Sequence, residues 1–131
     1  MAHSYTMTWQ AATEGAIIEA HKTFSADSKS RLEQALTAGQ TDLAILFPID
    51  VSQVKFLMIT CDQDCLIETN SSDSGARDDS ISLVADRPYE WDEDSYDSLL
   101  LRTDVVTIYA TNLSEDTAAT LKIEVLHDPT V

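Results

Sequence analysis

Glycine and proline are scarce, with three of each in 131 residues. So few glycines leave little from which to build a loop that cradles phosphates with backbone N–H groups, and neither a glycine-rich phosphate loop nor a GxSxG elbow is present. The three histidines, His3, His21 and His127, stand far apart with no HxH or HExxH spacing, so none reads as a metal ligand from the sequence. Cysteine is limited to Cys61 and Cys65, which lack the CxxC spacing of a redox motif and have no further ligands to complete a zinc site. No stretch approaches the ~18 apolar residues of a membrane span. The opening MAHSYTMTWQ has no apolar run of the kind that directs secretion, so the protein is expected in a cytosol, or assembled there.

Basic residues are the other shortage. Eight Lys and Arg face 23 Asp and Glu, a formal charge of −15. That charge repels phosphate backbones and anionic lipid, so neither nucleic acid nor a membrane is an expected partner. Between Asp62 and Asp97, twelve acids against two arginines carry a net −10 of the total. Such a segment reads either as a solvated, solubilising face or as a docking surface for a basic partner or a cation. What is present in quantity is hydrophobic residue, at 44%. A chain of this size and composition is expected to form a single domain, residues 1–131, burying roughly two thirds of its unfolded surface.

The hydrophobic residues alternate. Tyr5, Met7 and Trp9 interleave with Thr6, Thr8 and Gln10, a strand with one apolar face, and Ala16 to Phe24 follows as a second. Ser25 to Ser30 reads as a turn, and Arg31 to Ala38 is open between strand and helical turns. Leu43 to Phe47 is a short strand stopped by Pro48. Asp50 and Ser52 have the chemistry to cap one helical turn.

Val54 to Cys61, apolar on both faces, has the character of a central strand. Asp62-Gln63-Asp64 then predicts a hairpin to Cys65–Thr69. Asn70 to Asp79 is a polar loop tolerant of insertion, and Ser80–Ala85 and Tyr89–Trp91 are further strands. Two strands of clean alternation, Asp104–Thr111 and Ala119–Leu126, close the chain across a turn at Asn112–Asp116. Eight or nine short strands at this spacing predict an all-β chain: an antiparallel β-sandwich, jelly-roll-like, with an N-terminal strand or arm over residues 1–14.

No catalytic residue emerges, and the protein is expected to be non-enzymatic, with no cofactor and no metal. Asp92, Glu93, Asp94 and Asp97 are acidic but lack the register of a calcium loop. Cys61 and Cys65 read as two small packing residues, with a disulfide as the alternative. The candidate contact residues are aromatic or soft: Tyr5, Met7 and Trp9 near the terminus, and Tyr89 and Trp91 beside the acidic cluster. Each is a partner anchor or a core residue, a choice composition leaves open.

Five segments carry a resemblance. Ile49–Lys55, Cys61–Asn70, Pro88–Trp91, Asp104–Asn112 and Val125–Pro129 are similar to those of small structural proteins encoded among the head genes of tailed bacteriophages, a likeness covering most of residues 39–129. The chain departs from that pattern at Arg77, where a proline is expected, and at Cys65, where a cysteine is not. The resemblance implies a capsid decoration, or cement, protein on the exterior of the virion, assembled in the host cytoplasm. Its partners would be the major capsid protein and its own copies, as a homotrimer. A tail or neck module is the nearest alternative, and a carbohydrate-binding sandwich using Tyr89 and Trp91 is the alternative from another class.

Overall fold

The computed structural model describes residues 3–13 and 15–128. Met1, Ala2 and Glu14 of the expected arm, and Pro129 at the end of the resemblance, lie outside the described residues. In chain order the strands are β1 (His3–Thr13), β2 (Ala16–Ala26), β3 (Ser28–Leu36), β4 (Leu43–Ile49), β5 (Val54–Cys61), β6 (Cys65–Thr69), β7 (Ser80–Leu83), β8 (Tyr89–Asp92), β9 (Val105–Asn112) and β10 (Ala119–His127). A 3-10 turn, Val51–Gln53, precedes β5, and the Asp50 carboxylate caps it by accepting from Ser52 N.

Two four-stranded antiparallel sheets pack face to face, in the orders β3-β10-β5-β8 and β4-β9-β6-β7. Pairing is nested about the β6–β7 connection: β6 with β7, β5 with β8, β4 with β9 and β3 with β10. The pairs β5·β10 and β6·β9 then complete each sheet. Nesting forces most connections to pass from one sheet to the other. The expected hairpin at Asp62–Asp64 is therefore corrected: β5 and β6 belong to different sheets, and the three residues form a crossover. Its two carboxylates each cap a sheet, Asp62 Oδ1 accepting from Thr120 N at 2.8 Å and Asp64 Oδ1 from Ala85 N at 2.8 Å.

The core is built by period-two faces. From the first sheet come Leu36, Leu57, Ile59, Leu121, Ile123 and Val125; from the second come Ile45, Phe47, Ile67, Ile81, Leu83 and Ile108. The polar residues Asn112 and Glu68, buried beside this core, have partners. Asn112 donates to Thr37 O at 3.0 Å and Thr117 O at 2.9 Å, and the buried Glu68 carboxylate accepts from Arg77 Nη1 at 3.0 Å. Arg77 is thus the counter-ion of a buried acid.

Several boundaries differ from expectation. The turn expected over Ser25–Ser30 shrinks to Asp27 alone, because β2 runs to Ala26 and β3 starts at Ser28. Asp27 N donates to Asp128 Oδ1 at 2.7 Å, which supplies the partner that the abrupt change of direction removes. Of Arg31–Ala38, the part to Leu36 resolves as strand, the end of β3, through its pairing with β10, while Thr37 and Ala38 lie beyond the strand. Pro48 does not stop β4: it sits exposed on an edge strand where the register shifts between Leu46 and Ile49, so its missing N–H leaves no ladder bond unmade. In β9 the alternation slips, since Val105 and Ile108 are both buried while Val106 is exposed. The Asn70–Asp79 loop is polar as expected but tied down: Asn70 accepts from Val106 N at 2.8 Å and donates to Asp104 O at 2.8 Å, while Asp79 Oδ2 accepts from Arg102 N at 2.8 Å.

β1 and β2 pair only with each other, as a ribbon eleven residues long on each side. Its base rests on the outer face of the first sheet. There Phe24, Ala26, Phe56 and Leu126 form a second buried cluster, with Tyr5, Met7 and Met58 packed against it. Tyr5 stacks on Phe56 at 5.8 Å between ring centroids and Phe24 tilts against it at 5.3 Å. β5 is thus apolar on both faces because both are covered.

The two faces of β5 predict different failures. Leu57→Ala opens a cavity in the sandwich core and is expected to lower unfolding free energy by about 2–5 kcal/mol, read from the midpoint of a denaturant titration. Phe56→Ala removes the seat of the ribbon. Limited proteolysis is expected to cut first within residues 3–26, leaving a folded remainder, and wild-type resistance there would show that Phe56 does not hold the ribbon.

Candidate partner-binding surface

Alternation along β1 and the antiparallel register divide the ribbon into two faces. Tyr5 lies opposite Phe24, Met7 opposite Lys22, Trp9 opposite Ala20 and Ala11 opposite Ile18, all on one side. The other side carries Thr6 opposite Thr23 and Thr8 opposite His21, which bond side chain to side chain at 2.9 and 3.2 Å. One face of the ribbon is therefore apolar except at Lys22, but the body covers only its base. Tyr5 and Met7 are half-buried, whereas Trp9 is 39% exposed and Ile18 76% exposed. Beyond Trp9 the apolar face runs out into solvent.

Polar contacts fix the ribbon's orientation. The Tyr5 hydroxyl donates to Glu124 Oε2 on β10, and burial followed by this bond pushes the phenol up to about 12. Lys29 Nζ lies 5.3 Å from the centroid of the Tyr5 ring. Lys22 pairs with Asp94 in the turn after β8. At the base, Lys55 Nζ meets Asp128 Oδ2 at 3.0 Å. Asp128 is held below the usual carboxylate range, first by the Asp27 N–H and then by Lys55.

Two grooves flank Trp9. One, of about 560 Å³, lies between the ribbon and β8 and is lined by Trp9, Lys22, Tyr89, Trp91 and Tyr96. The other, of about 630 Å³, is lined by Trp9, Ala11, Ile18, Arg87 and Pro88. Glu90 borders both. No histidine or cysteine lines either, and among the described residues no group of three or more His, Cys, Asp or Glu is placed to hold a metal ion. The acidic residues after β8 instead form a tight turn, in which the buried Asp92 accepts from Asp94 N at 2.8 Å and donates its own N–H to Ser95 Oγ at 2.9 Å.

The five aromatic or soft residues singled out in the sequence fall into three situations. Tyr5 and Met7 bind the ribbon to the body. Trp9 stands at the point where the body ends. Tyr89 and Trp91 pack from β8 against the main core, with the Trp91 indole donating to Asp97 O at 2.8 Å and the Tyr89 hydroxyl accepting from Leu100 N at 3.0 Å. Ile18 and Ala20, which extend the exposed face, were not singled out. Their signal was the alternation Ile18, Ala20, Lys22, Phe24 within Ala16–Phe24, apolar but for Lys22, which only the register joins to Tyr5, Met7 and Trp9. No family model, curated protein or solved structure matches this chain.

Glu90 projects from β8 beside Met58, opposite it in the register. Its Oε1 is buried without a hydrogen-bond partner among the described residues. Burial first, and the adjoining Asp92 carboxyl second, push Glu90 up to about 7. Because the folded protein holds this proton more tightly than the unfolded chain, Glu90 favours the folded state as pH falls from about 7 toward its ordinary value of 4.5. Glu90→Gln cannot take up this proton and loses that dependence. The unfolding midpoint of the wild type is expected to rise more between pH 8 and about pH 5 than that of Glu90→Gln, and parallel profiles would refute the assignment.

Proposed function

We propose that this protein is a non-enzymatic structural module that docks on a larger protein assembly through the open end of its β1–β2 ribbon. The observation that carries this reading is the apolar ribbon face, covered at Tyr5 and Phe24 and uncovered at Trp9, Ala11, Ile18 and Ala20. An uncovered apolar sheet face next to grooves is a surface for protein contact. Charge favours the same site. Glu14 and Glu19 against Lys22 leave −1 in residues 1–26, so −14 of the −15 belongs to residues 27–131. The ribbon is the part of the molecule that approaches another surface with least repulsion.

We read the sandwich as a jelly roll and the ribbon as its N-terminal arm. The nested pairing about β6–β7, one long hairpin wrapped into two sheets, supports that topology. With the likeness of residues 39–129 to phage head proteins, this favours a capsid decoration protein. Its partner in that reading is the major capsid protein, on the virion exterior, with homotrimers multiplying modest contacts by avidity. A tail or neck module would use the same surface and differs in copy number. The carbohydrate-binding alternative has less support, because Tyr89 and Trp91, though they line the groove beside β8, are partly buried against the core, and the Trp91 indole N–H and Tyr89 hydroxyl are engaged by Asp97 O and Leu100 N.

Electron microscopy of the particle carrying this protein tests the reading. Density at every equivalent lattice position of the shell is expected, with the ribbon end against the capsid protein. Density confined to the neck or tail would move the protein there, and its absence from the particle would refute a virion role. Trp9→Asp with Ile18→Asp is expected to weaken binding to the shell at least ~10-fold while leaving the thermal midpoint within a few degrees of wild type.

A further inference from the structure

The two thiols belong to the main core, not to the cluster that seats the ribbon. Cys61 ends β5 in one sheet and Cys65 begins β6 in the other, so the pair brackets the Asp62–Asp64 crossover. Both side chains are buried in the main core, and their sulfurs stand 3.0 Å apart. The surroundings hold them there. Asp62 and Asp64 are anchored to opposite sheets by the bonds described above, Cys61 O accepts from Asp86 N at 2.9 Å, and Asp64 O accepts from Leu113 N at 2.9 Å. In the register Cys61 lies opposite Leu121, and Cys65 opposite Leu83 and Asn112. Neither sulfur has to leave the core to reach the other.

We propose that Cys61 and Cys65 are a disulfide site, closed by exchange with a small-molecule disulfide, which joins the two sheets covalently at the β5–β6 crossover. A bond of about 2.05 Å requires the sulfurs to close by about 1 Å, within the reach of small side-chain rotations. The exchange balances. One cysteine thiolate attacks oxidised glutathione, forming a mixed disulfide and releasing one glutathione thiolate, which takes up the proton the cysteine lost. The second cysteine, as thiolate, displaces the other glutathione in the same manner. The protein loses two protons and two electrons, and one glutathione disulfide becomes two glutathiones.

Burial governs when this happens. It raises the Cys65 thiol, and the adjoining Cys61, Asp62 and Asp64 raise it further, so Cys65 stays protonated at neutral pH. The closed domain is therefore slow to react, and oxidation proceeds through opening of the crossover. A glutathione-reduced compartment keeps the pair as thiols, and an oxidising one closes it.

The test uses the full chain incubated to completion with oxidised glutathione, then denatured, treated with iodoacetamide and weighed intact. The expected product is monomeric, about 2 Da lighter than the reduced protein, with no alkylated cysteine and no glutathione adduct. Its thermal midpoint is expected about 5 °C above that of the reduced form, a difference absent from the Cys61→Ala, Cys65→Ala double variant. Two alkylated cysteines, a stable glutathione adduct, or a disulfide between two chains would each overturn the proposal. So would an oxidised form that melts no higher than the reduced one. The mass measurement on wild-type protein decides the bond even if the double variant fails to fold.

Discussion

The structure depends on covering both faces of β5 and β10. These strands pair at the centre of the first sheet and are apolar inward at Leu57, Ile59, Leu121, Ile123 and Val125, and outward at Phe56 and Leu126. The inner face needs a second sheet and the outer face needs something else. The base of the β1–β2 ribbon meets the second need. Burial on two sides thus produces both the sandwich and the attachment of the ribbon.

Attachment at one end has a geometric consequence. An eleven-residue strand at about 3.4 Å per residue is longer than the patch formed by Phe56, Met58 and Leu126. The same alternation that places Tyr5 and Phe24 on the body therefore places Trp9 and Ile18 beyond it. The exposed apolar face arises as the continuation of a packing surface, with no separate device. The ion pair of Lys22 with Asp94 and the bond from Tyr5 to Glu124 orient this ribbon and steer the exposed residues toward the grooves.

Much of this was legible in the residues. The alternation of Tyr5, Met7 and Trp9, the double-faced Val54–Cys61 segment and the Asp50 cap all describe local periodicity or local hydrogen bonding, and each holds in the fold. What failed concerned pairing. Asp62-Gln63-Asp64 has the chemistry of a hairpin turn, yet it joins two sheets, because strand partners are chosen by the whole nest of pairs rather than by the turn between neighbours. The surface was half legible: Trp9 was singled out while Ile18 was not, since their adjacency exists only in the β1–β2 register.

The sequence by itself determined that the chain is β-structured, where most strands lie, and which faces are apolar, because alternation is a property of consecutive residues. Tertiary structure decided which strands meet, and with that the meaning of individual side chains. It turned Tyr5 and Met7 into anchors, Tyr89 and Trp91 into core-facing residues, and Arg77 into the partner of a buried acid. It also brought Cys61 and Cys65 together across two sheets. Those outcomes depend on contacts between residues distant in the chain or across a change of sheet, and such contacts are set by the competition of all strands for shared partners, which no local pattern encodes.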